Sequence, residues 1–123
     1  MLSLAANTQQ KSHLAEARRR LSALIDGLAF TEELWTEPVG KARHPRLYLN
    51  QLARGTTTLS AEELQRELKQ IEADMGRTAE MRQQGIVPID LDLLLYDGQR
   101  YHERDWERPY VRQLLARNYS VPS

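Results

Sequence analysis

Apolar and polar positions alternate along this chain in two distinct periods. Met1 to Ala6 is a short apolar run and predicts a buried first strand. Leu14, Ala17, Leu21 and Leu24 then recur at helical spacing around Arg18, Arg19 and Arg20, and Gly27 is the predicted stop. Leu28 to Trp35 suits a second strand. Thr36 to Pro45 contains Pro38, Gly40 and Pro45 and reads as a loop, long for a domain of this size. Arg46 to Ala53 predicts a third strand, with Tyr48, Asn50 and Leu52 on one face and Leu47 and Leu49 on the other.

The second helix has the plainest signature. Ser60 and Glu63 have the spacing of a capping box, Leu59 and Leu64 that of a hydrophobic staple, and Leu64, Leu68, Ile71 and Met75 form one apolar stripe ending at Gly76. Arg77 to Pro88 is a predicted loop and Ile89 to Tyr96 a strand, followed by the hairpin-type turn signal Asp97-Gly98. Glu107 to Arg117 predicts a last helix with Pro109 in its first turn. The order strand, helix, strand, strand, helix, strand, helix implies an α+β fold: a ferredoxin-like antiparallel sheet with helices packed on one face.

Composition narrows the class. Residues 1–123 read as a single domain without repeats, and seventeen basic residues balance seventeen acidic ones, so no global field marks a nucleic-acid or membrane binder. The arginine run reads as a solvated helix face. There is no cysteine, which excludes disulfides and thiolate metal sites and fits a cytoplasmic protein. No apolar stretch approaches membrane-spanning length, and no signal-peptide pattern opens the chain. Oligomeric state is not legible.

The segment Ile89-Asp90-Leu91-Asp92-Leu93-Leu94-Leu95 carries the most chemistry. Strand periodicity projects Asp90 and Asp92 from one face and the apolar residues from the other. Adjacent carboxylates repel unless water or a cation offsets their charge. A hard cation such as Mg²⁺ suits them, because it binds through one or two carboxylates together with substrate phosphates. From spacing alone, a solvent-facing strand with acidic outer positions is the plainer account. Ordinary sheet packing is likewise the plainer account of Tyr48 and Asn50.

Together with Thr36, Pro38 and Gly40 in the first loop, Tyr48-Leu49-Asn50, Ile71-Glu72 and Gly76-Arg77, this strand resembles 6-hydroxymethyl-7,8-dihydropterin pyrophosphokinase, from about Leu2 to Leu115. The resemblance implies transfer of pyrophosphate from ATP to the hydroxymethyl group of a reduced pterin in folate biosynthesis. It implies Asp90 and Asp92 as the catalytic, Mg²⁺-holding pair and Thr36, Pro38, Val39, Tyr48, Asn50 and Tyr110 as the pterin pocket. Tyr110 stands where the family has phenylalanine. Glu72, Arg77, Arg108 and His102 are the implied nucleotide residues, though His102, followed by Glu103 where the family has proline or tyrosine, is better read as a surface histidine. The implied partners are small molecules, ATP and the pterin. The chain departs from the family at Ala5 (glycine there), Leu34 (tyrosine), Glu37 (proline), Gln84 (tryptophan) and Val87 (arginine), and after Asp97-Gly98 it is shorter. Ala5, Gln84 and Val87 motivate an alternative, a catalytically weak or silent relative that binds pterin or a partner; an unrelated ferredoxin-like interaction module is a third reading.

Overall fold

The computed structural model describes residues 1–37 and 46–119. A five-stranded antiparallel sheet is built from β1 (Leu2–Ala6), β2 (Asp26–Phe30), β3 (Leu34–Thr36), β4 (Tyr48–Thr56) and β5 (Asp90–Leu93). Its path runs β2-β4-β1-β5, with β3 also paired to β4. Helices α1 (Gln10–Leu21) and α2 (Ala61–Asp74) connect β1 to β2 and lead from β4 toward β5, which is the ferredoxin-like βαββαβ arrangement. The short helix α3 (Ala79–Gln83) lies inside the predicted loop, where Thr78 Oγ1 accepts from the Met81 N–H at 3.2 Å. A small hairpin of β6 (Leu95–Tyr96) and β7 (Gln99–Arg100), joined at Asp97-Gly98, leads through a 3₁₀ turn (Glu103–Glu107) to α4 (Pro109–Tyr119).

Strand alternation divides the side chains between two faces. Leu2, Leu4 and Ala6 of β1, Leu49 and Ala53 of β4, and Leu91 and Leu93 of β5 form the floor of the main core. Leu14, Ala17 and Leu21 of α1 and Leu64, Leu68 and Ile71 of α2 cover it. The α2 capping box is formed: the Glu63 N–H donates to Ser60 Oγ at 3.1 Å, and the Ser60 N–H donates to Glu63 Oε1 at 2.9 Å.

The opposite face is only partly covered. Leu52, Leu94, Val111 and Leu114 make a second, smaller core there, with Leu34, Trp106 and Tyr110 packed against it. Helix α4 thus lies on the face expected to be bare and leaves Asp90 partly exposed. Sequence patterning missed this because α4 buries just Val111 and Leu114 among its described side chains, too short a stripe to assign to either face.

Three boundaries also differ from expectation. The predicted strand Ile89–Tyr96 breaks at Leu94 into β5 and β6, which lie in different sheets, where the Leu94 and Leu95 N–H groups both turn to the Met1 carbonyl. Helix α1 ends at Leu21, and Gly27 lies within β2 at φ +63°, inside an irregularity between Asp26 and Ala29. The predicted strand over Leu28–Trp35 is interrupted: Thr31 turns inward, donating its N–H to the Leu52 carbonyl and accepting from the Leu52 N–H, each at 2.9 Å. Gly55 permits the close approach of β4 to this region, since a methyl group there would overlap Ile25 Cγ2 and lie 2.8 Å from the Asp26 carbonyl oxygen.

Candidate functional site

Antiparallel register assembles the open face row by row. Asp92 pairs with Ser3, which pairs with Leu52; Asp90 pairs with Ala5, which pairs with Asn50. Partners directly opposite in a sheet share a face. One row therefore runs from the Asp90 carboxylate across Ala5 to the Asn50 amide. Ala5 puts a methyl group in the centre of that row, at the position where the resemblance expected glycine.

The acidic pair sits on an edge strand whose outer side is closed by α2. The Leu91 N–H, which would otherwise face outward unpaired, donates to Glu72 Oε2 at 2.8 Å. Glu72 is 5% exposed, and its other oxygen lies 3.0 Å from Arg77 Nη1. Arg77 follows Gly76 in a Schellman-type helix end, with its N–H donating to the Glu72 carbonyl at 3.1 Å. The helix terminus thereby fixes both ends of Arg77, and its guanidinium reaches Asp90 Oδ1 at 3.1 Å. Burial opposes the Arg77 charge, yet Asp90 and Glu72 outweigh it and hold its pKa above the ordinary value.

Asp92 is the more enclosed of the pair, its side chain 16% exposed against 38% for Asp90. Burial first, then the charge of Asp90, push its carboxyl up to about 6, while Lys69 and His102 pull the other way. Lys69 Nζ stands 3.7 Å and His102 Nε2 4.0 Å from Asp92 Oδ1. Lys69 was not singled out by sequence. Its signal lay in the i,i+3 spacing to Glu72 at the end of α2 that faces the acidic strand.

Tyr48 and Tyr110 flank the same region. Burial raises the Tyr48 phenol, with the charge of Asp90 adding to it. Burial pushes Tyr110 up to about 12. Asn50, 2% exposed, donates through Nδ2 to Thr36 Oγ1 at 2.7 Å and to the Leu34 carbonyl at 3.0 Å. Thr36 is thus joined to the site, while Pro38 and Val39 lie outside the described residues. Arg108 donates to Asp105 at 2.9 Å, at the edge of the site.

Asn7 is a second residue that the sequence reading passed over. Buried at the end of β1, it accepts through Oδ1 from the Val87 N–H at 2.6 Å and donates through Nδ2 to the Gly85 carbonyl at 2.7 Å. Its own N–H donates to the Val87 carbonyl at 2.9 Å. The segment before β5 is therefore clamped to the sheet.

The donor set fits a metal shared with a ligand better than one held by protein alone. Among the described residues, no cluster of three or more His, Asp or Glu side chains is arranged to hold a metal ion. Two carboxylates on an open face, one of them resisting ionisation, suit a hard divalent cation that takes its remaining ligands from phosphates and water. A separate crevice of about 420 Å³ opens on the helix-covered face, between Ile25, Leu28, Leu64 and Leu93, and contains none of these residues. Among the described residues no helix is long and apolar enough to cross a membrane.

Fold and site together define a ferredoxin-like α+β domain with an acidic pair and a buried amide on its open sheet face. Residues 1–119 match the family described as 7,8-dihydro-6-hydroxymethylpterin-pyrophosphokinase (HPPK), and the chain belongs to that family. Relatives include a folate synthesis bifunctional protein of Arabidopsis thaliana, 43% identical over 84 residues that cover 62% of this chain and 17% of that protein. The mitochondrial folate synthesis bifunctional protein of Pisum sativum is 44% identical over 84 residues, 62% of this chain and 16% of that protein. A third, from Chlamydia trachomatis, is 33% identical over 79 residues, 56% of this chain and 17% of that protein. The chain thus matches less than a fifth of the length of each.

Proposed function

We propose that this domain transfers pyrophosphate from ATP to the hydroxymethyl group of 6-hydroxymethyl-7,8-dihydropterin in folate biosynthesis. The pterin hydroxyl oxygen bonds to the β-phosphorus, the bond between that phosphorus and the α,β-bridging oxygen breaks, AMP leaves, and the hydroxyl proton passes to solvent. The observation that carries this reading is the row Asp90–Ala5–Asn50, with one of the paired carboxylates at one end and a hydrogen-bonding amide at the other, in a chain of this family.

Asp90 and Asp92 would hold Mg²⁺, which supplies charge neutralisation for the polyphosphate. Asn50, its amide oriented by Thr36 and Leu34, reads the heteroaromatic edge of the pterin. Tyr48 and Tyr110 offer rings to either side of it. Arg77, held by Glu72, and Arg108 offer guanidinium groups suited to phosphate oxygens. A cytoplasmic address belongs to the same proposal.

Release of AMP on mixing the chain with Mg²⁺, ATP and the dihydropterin is the direct test, with Asp92→Asn as control. Pterin-dependent AMP that vanishes in the control is the expected result. Val87 and Gln84 favour a second reading, because neither brings a charge to the segment that Asn7 clamps beside the site. A folded chain that binds pterin and releases no AMP would establish that reading, a silent pterin-binding relative, instead.

A further inference from the structure

Between the end of α2 and the acidic strand stands a cation without a role so far. Lys69 Nζ lies 3.2 Å from Glu72 Oε2 and 3.7 Å from Asp92 Oδ1, and its side chain is 57% exposed. Glu72 is an immobile partner, since it also receives the Leu91 N–H and the Arg77 guanidinium. Asp92 is a different kind of partner, because the proposed Mg²⁺ would take up its oxygens.

The other cations near the pair are differently placed. Arg77 is 18% exposed and committed between Glu72 and Asp90. Arg108 pairs with Asp105. Position 87 is a valine, with its N–H and carbonyl both bonded to Asn7. Lys69, 57% exposed against 47% for Arg108 and 42% for His102, is the most exposed of these groups and has a flexible four-carbon stem and rotatable donors. Polyphosphate oxygens that share a cation with Asp92 must come within a few ångströms of that carboxylate, which is the space the ammonium already borders.

We propose that Lys69 is a nucleotide-binding residue: its ammonium rests on Asp92 until metal-bound ATP arrives, then turns to the polyphosphate and adds positive charge beside Asp92. This assignment rests on the pyrophosphokinase reading above. It extends that reading by naming a cation that α2 brings to the polyphosphate. A point-charge ammonium is a well-precedented phosphate partner.

The test uses the full chain, with Lys69→Met and Lys69→Arg variants and two ligands. Calorimetry follows Mg²⁺ with α,β-methylene-ATP, whose α,β linkage cannot be cleaved; electron paramagnetic resonance follows Mn²⁺ alone. Lys69→Met should weaken the magnesium–nucleotide complex by about 10- to 100-fold, as expected for losing a charge-assisted contact, and Lys69→Arg should restore most of that loss. Mn²⁺ alone should bind Lys69→Met as tightly as wild type or more tightly, because a competing cation has left Asp92. Those opposite directions separate a nucleotide contact from mere damage to the strand edge, which would weaken both ligands.

Wild-type affinity for the nucleotide in Lys69→Met, or a parallel loss for both ligands, overturns the Lys69 assignment while AMP release by wild type keeps the pyrophosphokinase reading. A wild-type chain that neither binds the analogue nor releases AMP overturns both.

Discussion

Replacing Asp92 by asparagine removes a charge while keeping the side chain's size, and in the metal-free protein that change should stabilise the fold. Asp92 titrates at about 6 in the folded chain against an ordinary 3.8, raised chiefly by burial and next by Asp90. The ionised form is therefore disfavoured in the folded state. Between about pH 4 and 6 the folded chain holds a proton that the unfolded chain has already released. Stability accordingly falls as pH rises through that window and levels off above it. The full difference corresponds to roughly 3 kcal/mol at neutral pH, part of which Asp92→Asn should recover, since the asparagine also gives up attraction to Lys69 and His102.

A net gain on the order of 1–2 kcal/mol would raise the melting temperature by about 4–8 °C in a domain of this size. The assay is thermal or urea unfolding in EDTA from pH 4.5 to 8, wild type beside variant. Relative to the variant, wild type should lose stability as pH rises to about 6, so that the difference between the two widens through that window and then levels off. Added Mg²⁺ and nucleotide should then reverse the order by stabilising wild type more than the variant. Equal pH slopes, or a variant no more stable than wild type at pH 7.5 in EDTA, would refute the reasoning.

Other substitutions probe the supports of the site. Asn7→Ala removes both side-chain bonds to the segment before β5 and should cost about 2 kcal/mol, with faster amide exchange at Val87 as the specific readout. Arg77→Met leaves Glu72 nearly buried without its guanidinium partner and should destabilise by about 2–4 kcal/mol in urea unfolding at pH 7. Asn50→Asp replaces a donor with an acceptor facing Thr36 Oγ1 and the Leu34 carbonyl; pterin affinity measured by fluorescence should drop by at least about tenfold. Ser60→Ala breaks the α2 capping box and should lower stability by about 1 kcal/mol without changing ligand binding.

Much of this architecture was legible because local rules and global packing agree. The α2 cap, its Leu64–Leu68–Ile71 stripe and its glycine stop all point to one helix, and the Asp90–Leu93 alternation fixes which face is acidic. Less legible were features set by contacts distant in sequence. Thr31 breaks the second predicted strand through bonds to Leu52, and Asn7 clamps a segment 80 residues away. The position of α4 depends on a four-residue buried core contributed by β4, the β5–β6 junction and the helix itself. No window of sequence contains such pairings, so periodicity could not report them.

The acidic pair itself shows how fold and site are coupled through a single helix. The stripe that packs α2 onto the sheet sets the helix's rotation, and that rotation aims Lys69 and Glu72 around the free edge of β5. The same helix end delivers Arg77 to Asp90. An altered packing residue such as Leu68, 1% exposed, therefore acts on the site as well as on stability. Leu68→Ala should cost about 2–4 kcal/mol from the cavity it leaves, and it should also loosen the Glu72 cap on the Leu91 N–H. Amide exchange at Leu91 that rises by more than the global destabilisation accounts for would reveal the coupling. An increase at Leu91 no greater than at the centre of β1 would mean that helix rotation and edge capping are independent.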